Sequence, residues 1–370
     1  MSDESIPPGP DEAAPLVAHV PPAPPAPPAP AGLRARDLAL GAIVFVAALL
    51  LLLGATRLIQ RSGFDPGASS SAAVGAGPSV SLAPGGGLSP LPSGSVAPVG
   101  TSPPTVDPVL VGAGDIGDCG SGGDDATAAL LDGIEGTVFT AGDNAYENGS
   151  ADDFRNCYAN NWGRHLARTR PAPGNHDWQT NDLAGYLGYY GASAQGPDGS
   201  SWYSYDLGTW HVIVLDSTCA KVGGCDPASP QGRWLAADLA ATDATCTLAI
   251  FHHPRFTSGE HGDTLEMDAF WRPLHAAGVD VIVNGHDHVY ERFQPQDPDG
   301  RLDEERGIRE FIVGTGGTPL REFVRVAANS DLRLLVGFGV IAFTLHDGSY
   351  EWRFTVADSN VSDYGTARCH

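Results

Sequence analysis

Five short motifs rich in acidic and histidine side chains constrain the fold of this chain most strongly. Each motif directly follows a short apolar run of the kind that forms a β-strand. Open α/β folds place their chemistry outside the carboxyl ends of the strands, so we expect the motifs to gather along one edge of a sheet. The motifs are Gly114-Asp115-Ile116-Gly117, Gly142-Asp143-Asn144-Ala145-Tyr146, Gly174-Asn175-His176-Asp177, His252-His253-Pro254 and Gly285-His286-Asp287-His288.

The side chains of these motifs are of the types that bind metal ions. Carboxylate, carboxamide, imidazole and phenol groups together can hold two hard or borderline ions. Such a pair of ions can hydrolyse phosphate esters. The apolar runs before the motifs are Val109–Ala113, Thr137–Ala141, Arg170–Pro173, Thr247–Phe251 and Val279–Asn284.

The order of the motifs resembles that of the calcineurin-like metallophosphoesterases and, among them, the purple acid phosphatases. Most metallophosphoesterases have Asp-x-His in the first motif, and that histidine is a metal ligand. Here Asp115 has no such histidine two residues later, and Tyr146 in the second motif takes its place. This exchange marks the purple acid phosphatases. A phenolate suits Fe(III), a hard ion that can remove the proton of a phenol with a pKa of about 10.

The resemblance implies two metal sites that share one ligand. The bridging ligand would be Asp143, with one carboxylate oxygen for each ion. Fe(III) is expected in the site with Tyr146, and divalent Fe, Zn or Mn in the other. The first site would be formed by Asp115, Asp143, Tyr146 and His288, and the second by Asp143, Asn175, His252 and His286.

Two further histidines are candidates for acid–base roles in the same chemistry. His176 follows a predicted ligand, and His261 lies in a Glu-His-Gly segment similar to one in the mammalian-type phosphatases. Either could contact phosphate or give a proton to a poor leaving group. Asp177 is expected to orient His176. The resemblance implies attack on phosphorus by a metal-bound hydroxide.

The pattern of strands and helices predicts a layered α/β catalytic domain over residues 106–370. Helical patterns are found at Asp124–Ile134, Gln231–Ala241 and Asp263–Ala277. The family resemblance implies two packed mixed β-sheets flanked by helices.

Three segments precede this domain. Residues 1–37 form a Pro/Ala-rich tail that we expect to be disordered, and residues 60–105 read as a flexible Gly/Ser/Pro linker. Residues 38–59 include an uncharged apolar run long enough for a transmembrane helix. We expect a retained signal anchor, and the alternative is a cleaved signal peptide.

The cysteines and the net charge indicate the compartment and the partners. All six cysteines follow the apolar run, which suggests disulfides in an oxidising compartment, with Cys219 and Cys225 as the simplest pair. We therefore expect a single-pass protein of the cell membrane with an extracytoplasmic catalytic domain, or a secreted form after signal cleavage. A net charge of −23 argues against a nucleic-acid partner, since a polyanion requires a basic groove.

Three functions remain open at this level. The first is hydrolysis of small phosphomonoesters by an enzyme of the purple acid phosphatase type. The second is a phosphodiesterase acting on nucleotides or lipid head groups, since open metal pairs support both reactions. The third, of another class, is a non-catalytic surface protein with a relic metal site. That last hypothesis predicts a missing ligand, and every motif retains its ligand residue.

Overall fold

The computed structural model describes residues 106–370, apart from residues 181 and 197. The predicted tail, membrane helix and linker at residues 1–37, 38–59 and 60–105 lie outside the described residues, so those predictions stay predictions. Within the part that is described, no helix has the length and apolar character needed to cross a membrane.

Two β-sheets form the centre of this region. The thirteen strands found among the described residues are β1 (Val109–Ala113), β2 (Thr137–Ala141), β3 (Thr169–Ala172), β4 (Tyr203–Leu207), β5 (Trp210–Val214), β6 (Cys246–Ile250), β7 (Val281–Asn284), β8 (Tyr290–Phe293), β9 (Arg309–Val313), β10 (Ser330–Leu334), β11 (Gly339–His346), β12 (Ser349–Val356) and β13 (Ser362–Arg368). The runs predicted before the five motifs thus correspond to β1, β2, β3, β6 and β7.

Both sheets are mixed. The six-stranded sheet has the order β13-β12-β11-β1-β2-β3, in which β1, β2 and β3 pair in parallel and each neighbouring pair from β13 to β1 is antiparallel. The seven-stranded sheet has the order β10-β8-β9-β7-β6-β5-β4, with β5, β6, β7 and β9 parallel. The predicted architecture of two mixed sheets is therefore confirmed.

The main hydrophobic core lies between the two sheets. Phe311 of β9 contacts Phe343 of β11 with ring centroids 5.3 Å apart, and Tyr290 of β8 stacks on Phe354 of β12 at 3.8 Å. These four aromatic side chains are fully buried. Because aromatic rings bury large apolar areas, such pairs strongly favour the face-to-face packing of the sheets.

Helices cover the outer faces of the sheets. Phe270, Trp271 and Leu274 of the last helix pack with Leu235 in a second apolar cluster against the seven-stranded sheet. The α-helices in the described region are α1 (Gly123–Asp132), α2 (Ala151–Asp153), α3 (Ala184–Tyr190), α4 (Pro230–Ala241) and α5 (Asp268–Ala277), with a π-helical turn at Phe154–Tyr158 and 3₁₀ turns at Trp162–Arg168, Gly191–Ala194 and Leu265–Met267.

One helix begins later than the sequence pattern predicts. The pattern places a helix from Asp263, but α5 begins at Asp268. Asp263 accepts a hydrogen bond from the backbone N–H of Thr257 at 3.0 Å and forms an ion pair with Arg325. These contacts hold Asp263 in the preceding loop, so tertiary contacts override the helical periodicity.

The six cysteines form three disulfides. Cys219 and Cys225 are joined as predicted, across a short loop. Cys119 pairs with Cys157. Cys246, at the start of β6, pairs with Cys369 near the end of the chain.

Candidate metal centre

The five motif loops meet at the carboxyl ends of strands from both sheets. The six-stranded sheet supplies Asp115, Asp143 and Asn175, which follow β1, β2 and β3. The seven-stranded sheet supplies His252 after β6 and the two motif histidines after β7. The predicted common edge is therefore formed by two facing sheets rather than by one.

The backbone at three predicted ligands is in the left-handed region. The φ angles are 59° at Asp115, 49° at Asp143 and 71° at His286. Non-glycine residues rarely adopt this conformation, and such residues cluster at functional sites. The left-handed conformation lies at these ligands themselves, and not at Gly174 or Gly285, which precede two of the predicted ligands.

Those two glycines instead permit close approach. A Cβ atom at Gly174 would lie 2.2 Å from Oδ1 of Asp143, and one at Gly285 would lie 2.6 Å from Oδ2 of Asp115. Any larger side chain at either position would displace a predicted metal ligand.

The four ligands predicted for the first site lie together. The Tyr146 hydroxyl oxygen is 2.9 Å from Oδ1 of Asp115 and 3.2 Å from Oδ2 of Asp143. Nε2 of His288 is 3.4 Å from the same hydroxyl and 3.3 Å from Oδ1 of Asp115. Two carboxylate oxygens, a phenol oxygen and an imidazole nitrogen thus face one point.

The second predicted set converges on His252. Its Nε2 atom is 3.1 Å from Oδ1 of Asn175 and 3.1 Å from Oδ2 of Asp143. Nδ1 of His286 lies 3.2 Å from that Nε2 atom. The structure therefore brings all seven predicted ligands into two adjoining groups that share Asp143.

Asp143 uses one oxygen for both groups. Its Oδ2 atom faces the Tyr146 hydroxyl and the His252 ring, whereas Oδ1 accepts the backbone N–H of His176 at 2.7 Å. The resemblance implies one carboxylate oxygen for each ion, and that stays a prediction, since these contacts join protein atoms only. The backbone hydrogen bond occupies the other oxygen and thereby orients the carboxylate.

Backbone contacts behind the ligands fix their orientation. Nδ1 of His252 lies 2.9 Å from the carbonyl oxygen of Ala141, and Nδ1 of His288 lies 2.9 Å from that of Pro319. In each case the Nδ1–H donates to the carbonyl, so Nε2 is the nitrogen that faces the centre. Such backing contacts are typical of metal-binding histidines.

The electrostatics of the centre fit bound cations. Burial, followed by the charges of Asp115 and Asp143, raises the pKa of the Tyr146 phenol well above its usual value. Burial alone would lower the pKa of His252, but the neighbouring Asp143 carboxylate raises it to about 9. Without other positive charge, the cluster therefore retains protons on its phenol and its imidazole. Metal ions would supply that charge and favour phenolate and neutral imidazole.

His176 and His261 flank the two groups. Nε2 of His176 lies 4.0 Å from Oδ2 of Asp143, and its ring centroid is 4.5 Å from that of Tyr146. The His261 ring stacks on His286 with centroids 4.2 Å apart. The two side chains are 22% and 32% exposed, so both remain open to solvent beside the centre.

Asp177 does not make the predicted contact. Its carboxylate accepts hydrogen bonds from Nδ2 of Asn144 at 2.9 Å and from the backbone N–H of Gly174 at 2.9 Å. His176 is not among its hydrogen-bond partners in the described region; Nδ1 of His176 instead donates to the carbonyl oxygen of Glu147 at 2.6 Å. Asp177 therefore ties the loops after β2 and β3 together.

Sequence reasoning missed one loop that supports the site. Residues 314–318 follow β9 and contact the backbone of the first motif. The backbone N–H of Gly316 donates to the carbonyl of Gly114 at 2.9 Å, and that of Thr318 donates to the carbonyl of Asp115 at 3.0 Å. The glycine-rich segment after an apolar run was the available signal.

The fold and the donor set define a metallophosphoesterase domain. Residues 110–290 match the family model of the calcineurin-like phosphoesterases. This part of the chain is therefore a calcineurin-like phosphoesterase domain, and purple acid phosphatases are among its relatives.

The relatives are similar over part of their length. A Mycobacterium tuberculosis protein described as uncharacterised is 31% identical, over 40% of this chain and 35% of its own. Purple acid phosphatase 18 of Arabidopsis thaliana is 34% identical, over 33% of this chain and 28% of its own. The chain thus spans about a third of the length of these curated relatives.

The fold is similar to that of a solved plant phosphatase. The purple acid phosphatase PPD1 from yellow lupin (Lupinus luteus) seeds superposes with a TM-score of 0.53 at 20% identity. The superposition covers 70% of this chain and 53% of the lupin chain. At 20% identity, this similarity shows a shared fold alone.

Proposed function

We propose that the protein hydrolyses phosphate monoesters at a binuclear metal centre. The observation that supports this most directly is the convergence of seven side chains on two points that share Oδ2 of Asp143. Purple acid phosphatases are among the relatives, which supports the same class of reaction.

The donor types indicate which ions would bind. Tyr146, Asp115, Asp143 and His288 would hold Fe(III), because an anionic phenol and carboxylates suit a hard ion. Asn175, His252 and His286, together with Asp143, would hold divalent Fe, Zn or Mn. When bound, the ions would activate water, orient the ester and neutralise charge on the phosphoryl oxygens.

The protein's own side chains would position the ester. His176 and His261 lie on the open side of the centre, where imidazole N–H groups can donate to phosphate oxygens or to the leaving oxygen. A small ester is the expected substrate, since the chain has a net charge of −23 and a polyanion would be repelled.

The test compares a chromogenic phosphomonoester with its diester in the full chain and in Asn175→Ala. Loss of monoester turnover in Asn175→Ala, with turnover retained in the exposed-site control Asn360→Ala, supports the proposal. A preference for the diester would move the substrate to nucleotides or lipid head groups. Turnover of neither ester by folded, metal-loaded protein would favour a non-catalytic surface protein.

For the location, we propose a membrane-anchored protein with its catalytic domain outside the cytoplasm. The three disulfides support an oxidising compartment. The apolar run within residues 38–59 supports the anchor. The protein should then stay with the membrane fraction after a high-salt wash, and release in a shortened form would indicate a cleaved signal peptide and a secreted protein.

A further inference from the structure

Asp287 lies between two predicted metal ligands, His286 and His288, but its carboxylate contacts neither site. It is fully buried. Its Oδ1 atom accepts the backbone N–H of His261 and lies 3.0 Å from Nδ1 of the same residue. Its Oδ2 atom accepts the Thr257 hydroxyl at 2.5 Å. Both oxygens therefore serve the loop that includes His261.

The contact determines which His261 nitrogen faces outward. A carboxylate can only accept, so Nδ1 must bear the hydrogen. Nε2 is then the nitrogen that can meet a substrate. The stacking of the ring on His286 places it beside the second predicted metal group. A buried carboxylate that holds the far nitrogen of an imidazole is the arrangement that orients histidines in acid–base catalysis.

Anchoring of the loop alone does not account for the His261 contact. The same loop is held by the backbone N–H of Ser258, which donates to Glu291 at 2.8 Å, and by Arg325, which donates to the carbonyl of Thr257 at 2.7 Å. The loop thus has other anchors, whereas the Nδ1 contact of His261 depends on Asp287.

We propose that Asp287 is a positioning residue that holds His261 with its Nε2–H directed at the leaving oxygen. This rests on the proposed phosphatase function. As the phosphorus–oxygen bond breaks, its electron pair goes to the leaving oxygen, which takes the proton from Nε2. The new bond to phosphorus comes from the oxygen of a water molecule, which releases one proton to solvent, and solvent returns a proton to Nε2 of His261.

Leaving-group dependence tests this proposal. In Asp287→Asn, turnover of an alkyl phosphate should fall about a hundredfold or more, and turnover of nitrophenyl phosphate less than about tenfold, because only a poor leaving group requires a proton. The double variant with His261→Gln should lose no more alkyl phosphate turnover than His261→Gln alone. Equal losses on both esters, or additive losses, would overturn the proposal.

Thr257→Val is the control, because it removes the hydroxyl that donates to the other oxygen of the same carboxylate and that also accepts the backbone N–H of Gly259. It should leave the ratio of the two turnover rates unchanged, and metal content should be unchanged in all variants. If the wild type hydrolyses neither ester, the proposed function fails instead. The two failures are therefore distinguishable.

A second measurement does not depend on turnover. In the full chain without metal, proton NMR should show a downfield imidazole N–H that disappears in His261→Gln. In Asp287→Asn the N–H signal should be absent from that chemical shift, whereas in Thr257→Val it should be retained. Absence of this signal in the wild type would overturn the proposal even if Asp287→Asn does not fold.

Discussion

Oδ2 of Asp143 lies 3.1 Å from Nε2 of His252, and the same oxygen also faces the Tyr146 hydroxyl at 3.2 Å. One carboxylate oxygen therefore belongs to both halves of the candidate centre. The other oxygen is held by the backbone N–H of His176. A variant that removes the Asp143 carboxylate should therefore affect metal binding in both groups, whereas a variant of a residue in one group should affect that group alone.

Asp143→Ala should lose both metal ions, whereas Asn175→Ala should lose one. Asn175 belongs to the second group only, where its Oδ1 lies 3.1 Å from Nε2 of His252. Elemental analysis of the purified proteins measures the metal content. The loss of metal affinity should exceed the roughly 10–100-fold loss that is typical when a residue hydrogen-bonded to a metal ligand is changed. Equal metal content in the two variants would show that the sites are not separate.

Tyr146→Phe should abolish visible colour in protein loaded with iron. A phenolate bound to Fe(III) absorbs visible light by charge transfer, and phenylalanine keeps the ring without the oxygen. Visible absorption spectra of the two proteins check this. Tyr203→Phe is the matched control, since its buried hydroxyl donates to the carbonyl of Pro171. Colour that persists in Tyr146→Phe would remove the tyrosine from the site.

Removal of the Cys246–Cys369 disulfide should destabilise the protein most. Its sequence separation is 123 residues, against 6 for Cys219–Cys225, which corresponds to roughly 5 and roughly 2 kcal/mol of loop entropy. Paired Cys→Ala variants, compared by urea unfolding, measure both losses. A larger loss for the short loop would show that strain or unfolded-state structure dominates.

The contribution of His211 to stability should decrease as pH rises. Burial alone would lower its pKa, but Asp238 and Asp206, each 2.9 Å from a ring nitrogen, raise it above 6.5. A raised folded-state pKa means that the stabilisation is complete below the unfolded value and is lost as pH passes through the folded value.

The measurement is the difference in free energy of unfolding between the wild type and His211→Gln. The difference should be larger at about pH 6 than at about pH 9, where an ordinary imidazole is neutral. A difference that grows with pH would contradict the raised pKa.

The strands and the ligand types could be read from the sequence. Val109–Ala113 and Thr137–Ala141 form strands with the predicted bounds, because each is a short, mostly apolar run that is followed by a glycine. The two mixed sheets came from the family resemblance. The start of α5 at Asp268 could not be foreseen, since Asp263 in the preceding loop contacts the distant Arg325.

Two aspartates that lie next to histidines in the sequence show most clearly what the sequence could not predict. Asp177 lies next to His176 in sequence, but it bonds Asn144 and Gly174, whereas Asp287 bonds the distant His261. The sequence by itself determined the donor types, the strands that precede them and the number of cysteines available for pairing. Only the tertiary structure decided which oxygen of Asp143 faces both Tyr146 and His252, which carboxylate holds which imidazole and which cysteines pair. The physical reason is that hydrogen bonds and disulfides depend on positions in space, and local propensity does not encode contacts between distant segments.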